Sequence, residues 1–147
     1  MQRAGGAAID RLARKGDAEA FSFPVARLDG LDFSFSGVKT SLLYAVRDLG
    51  DEAEERRADL AASYQRAIVR ALVERTEEAA ARTGAEQVAV VGGVAANSEL
   101  RARLAGAVPA PLELCTDNAA MIGSAARFVE AVPYPDYFGL DAYASAR

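Results

Sequence analysis

The sequence predicts an α/β fold, and three observations carry that prediction. The last third of the chain alternates strand-like and helix-like segments. Its middle repeats apolar residues at steps of three and four, and its composition, 51% apolar and 26% charged in 147 residues, is that of a chain that buries a core. At this length one compact lobe is expected, not two domains with a cleft between them.

The elements follow in order. In "MQRAGGAAIDRLARKG", Gly5 and Gly6 precede a short helical pattern with Ile9, Leu12 and Ala13 on one side and Gly16 as its stop. "FSFPVARLDG" carries Pro24 and Gly30 and reads as loop or edge. "LDFSFSG" alternates Leu31, Phe33 and Phe35 against Asp32, Ser34 and Ser36, the period of a half-buried strand. From Val38 to Leu49 the spacing turns helical, the charged stretch Asp51 to Arg57 separates, and a second helix places Leu60, Tyr64, Ile68, Ala71, Leu72 and Ala79 on one face.

Beyond it come the strand "QVAVV", a glycine turn and a helix from about Ser98 to Ala107. Pro109 and Pro111 act as breakers, "LELC" reads as a short strand, and a last helix runs from about Asn118 to Val132. Strand, helix, strand, helix suggests a parallel pair joined by a crossover. Residues 133–147, rich in Tyr, Pro and Gly, form an irregular surface tail that packs partly by its aromatics.

A net charge of −4 sets the average surface against phosphate backbones, so contact with nucleic acid requires a local basic patch or a partner. A single cysteine, Cys115, leaves no disulfide framework and fits a reducing compartment. No leader pattern and no span-length apolar run is visible, so a cytoplasmic location is expected.

"VAVVGGVAAN" runs an apolar strand into Gly92 and Gly93 and then to Asn97. Glycines at a strand-to-helix junction bring backbone N–H groups close to an anion, yet the spacing fits neither of the familiar nucleotide-binding glycine patterns. The junction is either a phosphate loop or a plain turn, and Asn97 either touches a ligand or caps the helix with Ser98. "LCTDNAAMIG" leaves Asp117 at the carboxyl end of a strand, as a metal ligand or as a cap shared with Asn118. In "DFSFSGVKT", Ser34, Ser36, Lys39 and Thr40 either meet phosphate or RNA or form a solvated face.

Taken together, "GGAAIDRLA", "FSFP", "DFSFSGVKT", "VVGGVAANSELR" and "LCTDNAAMIG", in this order over residues 5 to about 126, resemble the carboxyl-terminal half of the TsaD family of tRNA threonylcarbamoyladenosine-forming transferases. The resemblance implies an actin-like, sugar-kinase-like architecture of two ribonuclease-H-like lobes around a nucleotide and a metal ion, with residues 1–132 forming one lobe. It implies transfer of threonylcarbamoyl from threonylcarbamoyl-AMP to the N6 amine of an adenosine beside the anticodon, in tRNAs reading codons that begin with A. Gly6, Asp10 and Asn97 then match positions that hold the adenylate or ATP, Gly92 and Gly93 form the turn beside it, and Asp117 matches a ligand of an iron or zinc ion.

The sequence also departs from that family. The family's paired histidine ligands have no counterpart, since the chain contains no histidine, and Arg3-Ala4 and Ala7 replace the usual residues around the first glycine pair. A lobe inactive without its amino-terminal partner lobe is therefore expected. TsaB-like and TsaE-like proteins and tRNA would be further partners, with no membrane and with self-association of the isolated lobe. The competing expectations are a stand-alone nucleotide-binding or partner-binding module, or the lobe of a small-molecule carbamoyltransferase.

Overall fold

A computed structural model describes residues 5–104, 106–116 and 118–140 of the chain. The architecture is mixed helix and strand, and mostly helical. Helix α1 (Gly5–Ala13) lies against α4 (Arg57–Thr83), with α2 (Ser36–Leu49) and the single turn α3 (Glu52–Glu55) between them in sequence. Of the two glycines expected ahead of the first helix, both are inside it.

Small residues set how closely α1 approaches α4. Ala13, Ala61 and Ala62 are buried together, and at Gly16 an added Cβ would stand 2.1 Å from the backbone oxygen of Ala58. The connection that follows is tied down by Ser63, whose Oγ donates to Asp17 O and accepts from Phe21 N, both at 3.1 Å. The main core gathers Phe23, Val38, Leu60, Tyr64 and Ala67, with the Phe23 ring edge-on to Tyr64 at 5.9 Å. Ile9 packs against both clusters and so joins them.

The strands are short. β1 (Ala26–Arg27) pairs antiparallel with β2 (Phe33–Ser34), and β3 (Ala89–Val90) pairs parallel with β4 (Val108–Pro109) across the crossover helix α5 (Ser98–Arg103). The parallel pair is sealed by Val108 N donating to Val88 O at 2.8 Å and Ala110 N donating to Val90 O at 2.9 Å. The chain ends its described part with α6 (Asn118–Ala125), a 3-10 turn at Ala126–Phe128 and another at Asp136–Gly139.

Several sequence expectations are corrected. "LELC" is a 3-10 turn (Leu112–Leu114), and the partner of β3 lies earlier, at Val108–Pro109. The antiparallel strand spans two residues, with Phe33 exposed and stacked on Phe35 at 5.6 Å instead of buried. The charged separator is itself helical at Glu52–Glu55, α5 stops at Arg103, and α6 stops at Ala125, well short of Val132. The aromatics Tyr134, Tyr137 and Phe138 pack on one another and stay exposed.

Candidate functional site

The site forms where α1, α4 and the N-terminus of α5 meet. Gly92 adopts φ +77° and ψ −177°, a backbone conformation open to glycine almost alone, and turns the chain out of β3 into a 3-10 segment, Gly93–Ala96. That turn buries Ala95 and delivers Asn97 in an extended conformation to cap α5. Asn97 Oδ1 accepts from Leu100 N at 2.9 Å, so the capping reading of Asn97 holds.

The other end of the same side chain points to a different task. Asn97 Nδ2 donates to Asp10 Oδ1 at 3.2 Å and to Gln65 Oε1 at 2.8 Å, which fixes the amide from three sides. Asp10 is buried, and its carboxylate also accepts from Ser98 N at 3.1 Å, Ser98 Oγ at 2.7 Å and Arg14 Nη2 at 2.8 Å. Burial pushes the Asp10 carboxyl upward, but the bonds from Ser98 and Arg14 and the Arg14 charge outweigh it and hold the group below its ordinary range. The first-turn N–H groups of Ser98 and Leu100 are thus claimed from within the chain.

Beside this network lies a cavity of about 150 Å³, lined by Gly6, Ile9, Tyr64, Gln65, Ile68, Val69, Leu72, Val94 and Asn97. It is an apolar slot with two amides at its rim and no Cβ at Gly6 to narrow it. Burial raises the Tyr64 phenol above its ordinary value, so it enters the wall as a neutral hydroxyl. Gly6 and Asn97 come together here as the sequence suggests. Asp10 stands behind Asn97, and Gly92 and Gly93 shape the turn without lining the slot.

Gln65 is the residue that the sequence reading missed. It is buried on α4, bonds Asn97, and lies 3.4 Å through Nε2 from Glu99 Oε2. Glu99 in turn accepts from Arg66 at 2.5 Å and Arg103 at 2.9 Å, which locks α5 onto α4. A glutamine four residues from both Ala61 and Val69, on the face that α4 buries, was the available signal.

The remaining candidates fall elsewhere. Lys39 is exposed on α2, Ser34 lies on β2, and Thr40 Oγ1 donates back to Ser36 O at 3.2 Å, within its own helix. Asp117 lies outside the described residues. Among the described residues no three of His, Cys, Asp and Glu converge, and the chain has no imidazole to offer. The described residues alone do not supply the three or four ligands that iron or zinc takes.

A family profile described as "tRNA N6-adenosine threonylcarbamoyltransferase" matches residues 1–124. The chain belongs to the TsaD family. Relatives bearing that name include one from Anaeromyxobacter sp. (strain Fw109-5), 53% identical over 133 residues that cover 82% of this chain and 40% of the relative. Another, from Symbiobacterium thermophilum, is 47% identical over 135 residues, covering 85% of this chain and 39% of the relative. A third, from Acidovorax sp. (strain JS42), is 50% identical over 132 residues, covering 83% and 38%. The chain thus spans about 40% of the length of the TsaD relatives it matches. Among the described residues no helix is long and apolar enough to cross a membrane.

Proposed function

We propose that this chain is the carboxyl-terminal, ribonuclease-H-like lobe of a tRNA threonylcarbamoyl transferase, and that its slot receives the nucleotide part of threonylcarbamoyl-AMP. The observation that carries the reading is Asn97, which lines an apolar cavity together with Gly6 while Asp10 and Gln65 hold its amide in one orientation. Family membership over residues 1–124 supports the choice of substrate.

In the reaction, the N6 amine of the adenosine attacks the carbamoyl carbon. A C–N bond forms, the bond to the phosphate oxygen breaks, the amine sheds a proton, and AMP leaves. This chain's share is binding and orientation. Ile9, Ile68 and Leu72 exclude water from one side of the nucleotide, and Asn97 and Gln65 fix its rotation. Asp10 acts through Asn97 as a positioning residue, and Gly92 and Gly93 place Asn97 by setting the path out of β3.

Completion of the site falls to the part of the family's length that this chain does not span, including any metal for which Asp117 would supply one ligand. TsaB-like and TsaE-like proteins and tRNA belong to that complete assembly, acting in the cytoplasm. The test is calorimetric titration of ATP and a stable adenylate analogue into the chain, alone and with the separately produced amino-terminal part of a relative. Binding that weakens at least tenfold in Asn97→Ala is the expected result. Wild-type binding retained in that variant, or no binding in either setting, overturns the reading.

A further inference from the structure

The face of α1 turned away from the slot carries a second feature. A shallow depression of about 620 Å³ is lined by Ala8, Arg11, Leu12, Arg14, Lys15 and Arg57. All four charged residues in that lining are cationic and exposed, in a chain whose net charge is −4. The concentration of positive charge is therefore local and runs against the background of the molecule.

Internal partners neutralise only half of it. Arg14 pairs with Asp10 at 2.8 Å, and Arg57 pairs with Glu54 one helical turn away. Arg11 and Lys15 have no ion-pair partner among the described residues. Arg11 lies in the last turn of α1, and Arg14 and Lys15 lie in the turn that closes it, where Arg14 N donates to Asp10 O and Lys15 N to Leu12 O, so the three stand within about one helical turn of one another, about 5–6 Å. A nucleic-acid strand presents about two phosphates over such an interval.

We propose that this depression is a docking surface for the phosphate backbone of RNA, presented on the opposite side of α1 from the nucleotide slot. Three of the four cations are arginines, whose planar forks match phosphate oxygens. The depression lacks the aromatic or large exposed apolar anchor around which protein interfaces are built, which favours a polyanion over an acidic protein. The choice of RNA rests on the transferase reading above. Gly6 and Ile9 on one side of α1, and Arg11 on the other with Lys15 in the turn just after it, let one helix and its closing turn contact both reactants.

The test measures binding of an unmodified tRNA transcript to the full chain by fluorescence anisotropy across salt concentration. Wild type is compared with the Arg11→Gln/Lys15→Gln double variant and with Glu54→Gln. Loss of two phosphate contacts should flatten the plot of log affinity against log salt by about 1.4–1.8, so the wild type's disadvantage over a fourfold rise in salt shrinks by about tenfold in the double variant. Glu54→Gln, which frees Arg57, should shift binding in the opposite direction, and unchanged circular dichroism shows that both variants fold.

A wild type that binds no tRNA, or a double variant with the wild-type slope, overturns the proposal. So does a polyglutamate peptide that binds as tightly as the RNA and is lost in the same double variant, since that marks a protein-docking surface. The adenylate titration separates the two readings. Patch-dependent tRNA binding without adenylate binding removes the slot assignment alone, and adenylate binding with patch-independent tRNA binding removes the RNA surface alone.

Discussion

Replacing Asp10 with alanine removes one carboxylate that serves four donors. Arg14 is 61% exposed and returns to water at little cost, and the Ser98 hydroxyl can rotate toward another acceptor. The Ser98 amide N–H and one N–H of Asn97, both half-buried, are left without their partner. At about 1–3 kcal/mol for each orphaned donor, the loss comes to about 2–6 kcal/mol, a large share of the 5–15 kcal/mol typical of a folded domain. With about 2–4 °C lost per kcal/mol at this chain length, a 3 kcal/mol effect lowers the melting temperature by about 6–12 °C.

The pH dependence supplies an independent check on the same residue. The folded-state pKa of Asp10 lies below its ordinary 3.8, so near that pH the unfolded chain binds more protons than the folded one. The carboxylate therefore stabilises the fold above the unfolded value, and this contribution drains away as pH falls through the folded value. Asp10→Asn keeps an acceptor oxygen and should melt between wild type and alanine, with a weaker decline in acid. Thermal melts followed by circular dichroism at pH 7 and in steps below pH 4 measure both effects. An alanine variant that melts within about 1 °C of wild type refutes the claim that this carboxylate anchors α5.

Two further outcomes are expected. Gly92→Ala forces a β-carbon onto φ +77° and should cost about 1–3 kcal/mol in urea unfolding, while Gly93→Ala, with open space at its Cβ and an ordinary φ, should stay near wild type; equal midpoints would count against the strained turn. Ile122, Phe128 and Phe138 are each more than 70% exposed on and beyond α6, so the isolated chain should associate with itself as concentration rises. Static light scattering showing a monomer throughout would contradict that.

The sequence was most legible where one face of an element is buried over several turns. Leu60, Tyr64 and Ile68 fall four apart, and α4 runs through all of them. It was least legible where prolines and short apolar runs coincide. Leu112 and Leu114 alternate as a strand would, yet an alternation of two apolar residues fits a 3-10 turn equally well, and Pro109, taken as a breaker, closes β4. The charged stretch before α4 misled for a related reason, since Arg57 and Glu54 pair across one helical turn and make a polar helix read as a linker.

For the site, Gly6 and Asn97 were visible because the motifs around them are local, and the structure places both on one cavity. Gln65 was not, because its partners are 32 and 34 residues away in sequence. The position of Asp10 behind Asn97, rather than on the slot, was likewise beyond any local pattern, being set by how α1 crosses α4.

Helix α4 has mechanical consequences of its own. Its buried residues all lie between Leu60 and Val69, so the 27-residue rod is clamped over its first half. The second half is stayed mainly by Arg75, whose guanidinium donates to the carbonyls of Leu28 and Gly30 at 2.6 Å. From Val69 to Thr83 is about 21 Å at the usual helical rise, so a tilt of about 5° at the clamp sweeps the free tip through about 2 Å. That tip leads directly into β3 and the turn at Gly92. Arg75 is thus a guy-line on a lever arm, and its grip on two carbonyls damps how far small shifts in the core are magnified where the chain turns toward Asn97.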